Sequence, residues 1–501
     1  MRRKNIRLAA TVIVCLIGST SAHALNTEKR DMKNNYIIKY KVTPKAVESF
    51  DEMFSEGVIY GRLRSNVFLW DWENEDRGST KDHSAWGVGG SLIYSTGYLH
   101  GFGVTAGMYT THAINTDNAI DGGGDYGKSG KDTYSRATGS GSHIDVLAVS
   151  YLEYKFAQSK IKAGRQIFES TMIRSNDSKM IPNTFEGISL ESDDLDDTNL
   201  RLAYFTRQKL RDHRDFHSVI AYDDWKTNPD AQDDSGIHKG LSVANIQAVG
   251  EDVDPGMLVA TAENKSIEGL KLNFDGMYID GFVSSVIAEA NYKIKLGDGW
   301  DLTPGVRYIR QRDEGAGKIG GAALSGALGF DKTPTAQALM SYDDPNSVDG
   351  GAWMARLKLS KGAGSIMAGY SAVFDKADLI APWRGFPTGG YTRSMAQFNW
   401  EANTKSCMLQ GIFDFGKAGM VEGVRAALDY AYMDYEQKKI DAGTVSKTDR
   451  GIIHLDVFKT FDSVPNVELK FRMAMVNADA SANSDDYNSY DEYRFEVNYF
   501  F

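Results

Sequence analysis

Apolar and polar side chains alternate along many short stretches of the chain. In residues 467–475, for example, Val467 and Leu469 share one face, while Lys470 and Arg472 share the other. The same alternation occurs in residues 62–69, 286–294, 355–359, 424–432 and 493–501. A period of two is the pattern of a β-strand whose two faces meet different surroundings. The pattern therefore predicts an all-β chain.

The connections between these stretches are of two kinds. Tight turns are predicted in residues 95–101, 157–160, 297–299 and 462–466. Long stretches rich in Gly, Asp or Ser cover residues 116–142, 207–236, 313–341 and 375–391. Compact soluble domains have few loops of that length, whereas a transmembrane antiparallel β-barrel has short periplasmic turns and long external loops. Because alternation alone also fits a soluble β-sandwich, the choice depends on the two ends of the chain.

The amino terminus has the pattern of an export signal. Four basic residues precede an apolar run at residues 8–17, and Ala22-His23-Ala24 has the small residues at which signal peptidase cuts. A membrane-spanning helix needs about 20 apolar residues, so this run is too short for an anchor. We expect cleavage after Ala24.

Export would divide the chain into three parts. Residues 1–24 would be the signal peptide, residues 25–56 a periplasmic lead-in segment, and residues 57–501 the barrel. At about 10 residues per tilted strand, the exported chain has room for roughly 16 to 18 strands around an aqueous lumen. Cys407 is the one cysteine left after the cut, so no internal disulfide can form.

Composition narrows the class of protein further. The chain has 50 glycines, 10 prolines and 11% aromatic residues, which fits many short strands in a closed architecture. Its formal charge is −11, and loss of the four basic residues before residue 8 would make it −15. This acidity argues against nucleic-acid binding. In a barrel, the apolar strand faces would meet lipid and the charged faces would line water.

A series of motifs, taken in order, carries a resemblance to a known family. They are residues 89–96 with 101–103, 164–166, 175–187, 382–387 with 391–393, 413–415 and 493–495. Over residues 50–501, the chain resembles the OprD-type outer-membrane porins. The resemblance implies an 18-stranded barrel whose inward-folded loops narrow the lumen, with a row of basic side chains that guides carboxylate-bearing solutes. It also implies that the terminal Phe501 is recognised by the barrel assembly machinery.

Basic residues on the polar faces of the predicted strands are candidates for that row. They are Arg62, Arg64, Arg201, Arg356, Lys358, Arg425, Lys470 and Arg472. Candidates in or near the constriction loops are Arg165, Asp177, Lys179, Glu186, Arg384 and Arg393. Lys179 stands where the resemblance would place an arginine, so the charge is kept and the forked guanidinium geometry is lost.

Cations held on rigid strands in a narrow pore attract anions more strongly than they would in bulk water. The alternative is that each arginine only pairs with a neighbour such as Glu289, Asp429 or Glu468. In the same way, Asp177 and Glu186 would form the acidic side of a constriction or would only bind loop backbone.

Two further polar clusters are expected to be solvated loops. His213 and His217 have the i, i+4 spacing of metal ligands on a helix, but their surroundings lack helical periodicity. The acidic residues 193–197 would alternatively collect divalent cations at a surface coated with lipopolysaccharide. We predict no metal site and no cofactor.

The sequence favours a passive channel for small hydrophilic solutes, with a preference for anionic, carboxylate-bearing ones. It would lie in the bacterial outer membrane, among lipid and lipopolysaccharide, as a monomer or a homo-trimer. No G-x-S-x-G, H-E-x-x-H or paired-cysteine motif indicates an enzyme. The alternatives are a barrel-type lipase or protease, for which His454 and Asp456 share a strand face, and a structural or adhesive barrel with a filled lumen.

Overall fold

Eighteen antiparallel strands form one closed barrel in the computed structural model. The structure describes residues 30–32, 38–40, 42–73, 82–118, 143–175, 177, 180–211, 213–221, 238–381, 385–395, 397–480 and 489–501. The strands are β1 Val58–Trp72, β2 His83–Ser95, β3 Phe102–Asn118, β4 His143–Phe156, β5 Ser159–Gln166, β6 Thr184–Leu195, β7 Thr198–Lys209, β8 Met257–Asn264, β9 Leu270–Ile279, β10 Val283–Tyr292, β11 Trp300–Asp313, β12 Gly350–Lys361, β13 Gly364–Val373, β14 Lys405–Asp414, β15 Val424–Asp434, β16 Arg450–Thr460, β17 Val467–Ala478 and β18 Tyr490–Phe500. Each strand pairs with its neighbours in sequence. The predicted 18-stranded barrel is confirmed.

The last strand closes the barrel against the first. In the β18–β1 pair, Tyr490 lies opposite Trp72 and Phe500 lies opposite Arg62. Beyond this pair, the N–H of Gly61 donates to the carbonyl oxygen of Phe501 at 3.1 Å, and the N–H of Phe501 donates to that of Gly61 at 3.2 Å. Closure therefore leaves no barrel strand with an open edge in the described part of the chain.

The alternation of the sequence decides which side chains face outward. Leu63 and Leu428 are 52% and 53% exposed, whereas the adjacent Arg64 and Asp429 are 4% and 2% exposed. Exposed apolar side chains form an outer belt that includes Leu92, Phe102, Tyr154, Phe274, Val306, Tyr308, Leu409, Tyr430 and Phe495. An apolar exterior around a charged interior is the arrangement of a barrel that spans a lipid bilayer.

Short turns lie at one end of the barrel and long loops at the other. The start of β1 and the end of β18 lie at the short-turn end, which is the periplasmic side of bacterial barrels. The acidic residues 193–197 lie at the end of β6 and in the β6–β7 turn, at this same end. The alternative that they collect cations at the lipopolysaccharide surface is therefore wrong, because acidity does not reveal on which side a turn falls.

Several connections contain short helices. Helix α1 (Phe50–Ser55) precedes β1, α2 (Val243–Val249) lies between β7 and β8, α3 (Ala316–Gly320) and α4 (Ala336–Leu339) lie between β11 and β12, and α5 (Gln437–Asp441) lies between β15 and β16. Among the described residues, no helix is both long and apolar enough to cross a membrane.

The long loops pack against the inner wall and against each other. Phe168, Ile246 and Trp400 are loop residues at most 6% exposed, and they belong to one cluster with Phe205 and Ile309 of the wall. This packing explains why so many loop residues are apolar.

The histidine pair in the β7–β8 loop is part of this folded region. His213 is 1% exposed, and its Nδ1 lies 2.8 Å from Nε2 of His217. The prediction that both are solvated is wrong, because the loop folds back and buries His213.

The predicted signal peptide, residues 1–24, lies outside the described residues. The described part of the lead-in segment includes the short strands Arg30–Met32, Ile38–Tyr40 and Ala46–Val47. The last of these pairs in parallel with Tyr98–Leu99 in the β2–β3 turn.

Candidate channel constriction

Two loops narrow the barrel interior. Loop L3 (residues 167–183) connects β5 to β6, and loop L7 (residues 374–404) connects β13 to β14. Met180 of L3 and Met395 of L7 belong to one buried cluster with Phe68 of the inner wall. The two loops therefore meet across the lumen.

Loop L3 is held to the wall through Asp177. The guanidinium of Arg62 forms an ion pair with the carboxylate of Asp177, and Arg64 donates to the carbonyl oxygen of Asp177 at 2.7 Å. Burial alone would raise the pKa of Asp177, but the two arginines outweigh it and lower that pKa. Asp177 thus binds strand arginines, which neither of the two predicted roles described. Its neighbour Lys179 lies outside the described residues.

Arg62 and Arg64 are consequently occupied. They are 3% and 4% exposed, and Arg64 also forms an ion pair of 2.8 Å with Glu496 of β18. The pairing alternative therefore describes these two arginines better than an open basic track does. Their charges hold a loop in place.

Loop L7 is held by arginines of β11 and β12. Arg307 donates to the carbonyl oxygens of Pro387 and Gly389 at 2.7 and 3.0 Å, and Arg356 donates to that of Gly390 at 2.8 Å. Glu289 of β10 lies beside both, at 2.5 Å from Arg307 and 4.0 Å from Arg356. Arg356 thus lies on the inner face of β12 and binds L7. Arg384 of L7 lies outside the described residues.

Strands β16 to β18 carry charges of both signs on the inner wall. Arg472 of β17 lies opposite Asp456 of β16 on one side and opposite Arg494 of β18 on the other. Arg472 donates to Asp456 at 2.6 Å, and Arg494 donates to Glu492 at 2.6 Å. Arg472 and Arg494 therefore each have their own carboxylate.

Arg393 of L7 differs from these arginines. Its guanidinium stacks on the ring of Phe386 at 3.5 Å from the ring centre and lies near Arg211, Arg472 and Arg494. It forms no ion pair with a described carboxylate, and its Nε has no hydrogen-bond partner among the described residues. Burial and the three neighbouring guanidinium groups lower the pKa of Arg393 to about 9, so the group is still cationic at neutral pH.

We name Arg211, Arg393, Arg472 and Arg494 the arginine cluster. The nearby acid, Asp429, is already bound by His454 at 2.9 Å and by Ser394 at 2.7 Å. Arg472 and Arg494 are each bound by a carboxylate, so the positive field at this part of the constriction comes mainly from Arg393, which has no ion-pair partner among the described residues.

The remaining candidates lie on several parts of the barrel wall. Arg201 donates to the carbonyl oxygen of Glu169 at 2.7 Å, and Lys470 pairs with Glu496 at 3.6 Å. Lys358 lies beside Arg356 and Arg425, and no described carboxylate is within ion-pair distance of it. The structure places Arg201, Lys358 and Lys470 on the inner face but does not bring them into one continuous row.

Arg165 and Glu186 lie elsewhere. They pair at 3.0 Å, and they share the strand faces of the exposed Ile161 and Ile188. Their side chains therefore lie on the face opposite the lumen.

Sequence reasoning missed several inward-facing cations. They are Lys160, Lys162, Arg174, Arg211 and Arg307. The alternation of the sequence indicates an inward direction for three of them. Arg307 lies between the exposed Val306 and Tyr308. Lys160 and Lys162 lie on either side of the exposed Ile161. Arg174 and Arg211 lie in loops, where no periodicity marks an inward side.

The fold and the inward loops together match a known family. A model described as outer membrane porin, OprD family, matches residues 57–501. The chain belongs to the OprD family of outer membrane porins. It is therefore an outer-membrane channel, as the motifs predicted, and its location is the bacterial outer membrane.

Solved structures of porins share the barrel at low sequence identity. OccAB1 of Acinetobacter baumannii has a TM-score of 0.67 and 15% identity, covering 90% of this chain and 97% of that chain. OccK9 (OpdG) of Pseudomonas aeruginosa has a TM-score of 0.65 and 17% identity, covering 89% of this chain and 99% of that chain. OpdK of Pseudomonas aeruginosa, solved with vanillate, has a TM-score of 0.64 and 14% identity, covering 90% of this chain and 99% of that chain. No curated protein sequence matches the chain.

The geometry around His454 gives the enzyme alternative no support. Nδ1 of His454 lies 2.9 Å from Asp429 and Nε2 lies 2.7 Å from Asp456, so both ring nitrogens are bound by carboxylates. A general base needs a ring nitrogen within hydrogen-bond reach of its substrate. Within the described ranges, no three His, Cys, Asp or Glu side chains converge as metal ligands.

Proposed function

We propose that this porin passes small hydrophilic solutes with a preference for anions, and among them for carboxylates. The observation that carries the proposal is Arg393, a cation in the constriction that has no carboxylate partner among the described residues. The arginines described on the strands hold loops or pair with acids. They therefore contribute less to the electric field that a solute meets.

The charge at the constriction is positive, whereas the net charge of the whole chain is negative. The chain has a net charge of −11, yet Arg393 adds a positive charge at the constriction that no described carboxylate neutralises. In a narrow, partly desolvated pore, such local charges act more strongly than distant ones, which solvent and ions screen. An anion would therefore be favoured there despite the acidic exterior.

A planar, delocalised guanidinium matches the two oxygens of a carboxylate, which it can bind through two parallel hydrogen bonds. Phe386 beneath Arg393 adds an aromatic face beside this site. OpdK, a porin of similar fold, was solved with vanillate, which is an aromatic carboxylate. These points support aromatic or small carboxylates as solutes.

The test uses the purified porin in planar bilayers under a KCl gradient. We expect a reversal potential that shows anion preference, and Arg393→Gln should reduce it. The matched control is Arg310→Gln, because Arg310 is a β11 arginine that pairs with Asp349 near the rim. This control should leave the reversal potential unchanged.

Solute preference is tested in vesicles with benzoate and benzamide, which share their shape and differ in charge. Benzoate should enter faster, and Arg393→Gln should bring the two rates closer together. Equal rates in the unaltered porin, together with a reversal potential that Arg393→Gln does not move, would refute the proposed preference.

Insertion and assembly remain proposals of the same kind. The backbone of Phe501 pairs with Gly61 in the closed barrel, so we propose that the assembly machinery reads Phe501 before β18 joins β1. Contact with lipopolysaccharide at the long-loop end and association as a trimer stay predictions, which mass measurement of the porin in native membranes would test.

A further inference from the structure

Helix α1 leaves two aromatic side chains uncovered at the periplasmic edge of the barrel. Phe50 and Phe54 are 66% and 49% exposed, and their ring centres are 5.1 Å apart. Met53, which shares their side of the helix, is 7% exposed. Residues at positions i, i+3 and i+4 lie on one face of a helix. The apolar face of α1 is therefore packed at its middle and open at both ends.

This helix is held firmly in place. Ser49 caps it, with its hydroxyl accepting from the N–H of Glu52 at 3.2 Å. Gly97 in the β2–β3 turn donates to the carbonyl oxygen of Met53 at 2.8 Å, and Tyr98 donates to that of Lys45 at 2.8 Å. The open aromatic pair is thus a fixed feature of the periplasmic rim.

The contacts of Tyr94 locate α1 relative to the outer belt. Tyr94 lies opposite Ile59 in the β1–β2 pair, and Ile59 is 62% exposed on the lipid-facing side. The hydroxyl of Tyr94 donates to the carbonyl oxygen of Phe54 at 2.7 Å. Gly57 permits this approach, because a Cβ there would lie 2.4 Å from the Tyr94 hydroxyl oxygen. Helix α1 therefore lies at the periplasmic rim, next to a side chain of the lipid-facing side.

The belt beside α1 is aromatic at this level. Phe102 and Tyr154 are 47% and 37% exposed with ring centres 4.5 Å apart, and Phe156 stacks on Tyr154 at 5.8 Å. Aromatic girdles of this kind lie where the hydrocarbon core of a bilayer meets its headgroups. Phe50 and Phe54 continue the girdle beyond the strands.

We propose that α1 is an interfacial anchor that inserts Phe50 and Phe54 into the periplasmic leaflet of the bilayer. The partner is the acyl and glycerol region of phospholipid, because the rest of the exposed helix surface carries Asp51, Glu52 and Glu56, which anionic headgroups would repel. The family match begins at residue 57, directly after this helix. The anchor is thus a feature of this chain beyond the shared barrel.

The test uses nitroxide labels on the full porin in vesicles, in a Cys407→Ser background because Cys407 is exposed. Labels are placed at Phe50→Cys and Phe54→Cys. The control on the acidic face is Asp51→Cys, and Leu92→Cys marks the lipid-facing belt. Heat-modifiable migration in gels confirms that each variant has a folded barrel.

The collision rate of each label is measured from its spin relaxation by oxygen, which partitions into lipid, and by a water-soluble nickel chelate. For the labels at Phe50 and Phe54, the ratio of the oxygen rate to the nickel rate should be severalfold higher than for a label in water, as it should be for the Leu92 label. The Asp51 label should show the opposite preference. Exposure of all three α1 labels to the nickel chelate would overturn the proposal, since α1 would then lie in water. Protection of the Phe50 and Phe54 labels from both reagents would also overturn it, because a second protein copy would be the covering partner.

A second arm compares vesicles of phosphatidylethanolamine and phosphatidylcholine with vesicles that also contain phosphatidylglycerol. Apolar anchoring predicts equal insertion in both. Insertion that requires the anionic lipid would contradict an anchor whose polar face is acidic.

Discussion

At the scale of single residues, the partner supplied by a loop decides what an arginine does. Arg62 and Arg393 both reach the constriction, but Arg62 meets Asp177, whereas Arg393 meets other guanidinium groups. Arg62 and Asp177 are 115 residues apart in the chain. Strand alternation correctly indicates that Arg62 faces inward, but it contains no information on a partner that arrives from a distant loop.

His238 makes a residue-scale prediction about pH. Its Nε2 donates to the carbonyl oxygen of Gly321, and its Nδ1 accepts from the N–H of Gly240, so the ring is held neutral. Burial lowers its pKa from 6.5 to about 4. When the pH falls below 6.5, the His238 ring is protonated in an opened loop before it is protonated in the folded one. Protonation therefore favours the opened loop. The packing of residues 238–241 on the β11–β12 loop should therefore lose up to about 3 kcal/mol between pH 6.5 and 4.

Hydrogen exchange of the Gly240 amide, corrected for the intrinsic rate at each pH, measures this effect. Protection should fall toward pH 4 in the unaltered porin and should depend less on pH in His238→Asn. Constant protection of Gly240 over the whole range would show that the ring does not control this contact.

At the scale of elements, loop L3 is a constriction because a buried ion pair fixes it to β1. Asp177→Asn keeps the shape of the side chain and removes its charge, leaving Arg62 buried without its partner. Breaking a buried pair costs about 3 kcal/mol, which should release L3 from the wall. Single-channel recordings should then show a larger and noisier conductance.

The matched control for L3 is Glu186→Gln at the start of β6. Glu186 pairs with Arg165, and both side chains are 38% exposed. An exposed pair contributes about 0.5 kcal/mol, so this variant should keep the conductance of the unaltered porin. Equal conductances in both variants would mean that Asp177 does not hold the constriction.

At the scale of the whole molecule, the positive constriction must act against a negative chain. The Debye length falls from about 10 Å in 0.1 M salt to about 3 Å in 1 M salt. Anion preference should therefore be greater in dilute KCl and decline as KCl is raised. Bilayer reversal potentials at a fixed concentration ratio measure it, and a preference independent of salt would contradict selection by the screened charge of the constriction.

Closure of the barrel gives a second prediction at this scale. Leu63 of β1 lies opposite Tyr499 of β18, so Leu63→Cys with Tyr499→Cys should form a disulfide across the seam in a Cys407→Ser background. Phe495 lies opposite Val67, which places it about 13 Å along the seam from Leu63. Leu63→Cys with Phe495→Cys should stay reduced. Equal oxidation of both pairs would contradict the register, and thiol titration distinguishes them.

Much of the barrel was predictable because each strand carries its own signal. Period-two alternation in β1, β10, β12, β15, β17 and β18 is a local property, and the length of the chain limits the number of strands. Less of the constriction was predictable. Alternation puts Arg356 and Arg64 on the polar faces of their strands, while their roles in holding L7 and L3 depend on contacts between distant segments.

The sequence by itself determined the all-β class, the division of many strands into an apolar and a polar face, and the family to which the barrel belongs. These follow from short-range patterns and from motifs that lie within single strands or loops. Only the tertiary structure decided that His213 is buried, that residues 193–197 lie at the periplasmic end, and that Arg393 has no carboxylate partner among the described residues. The physical reason is that burial and charge compensation depend on which segments meet, and loops from separate parts of the chain meet only once the barrel has closed around them.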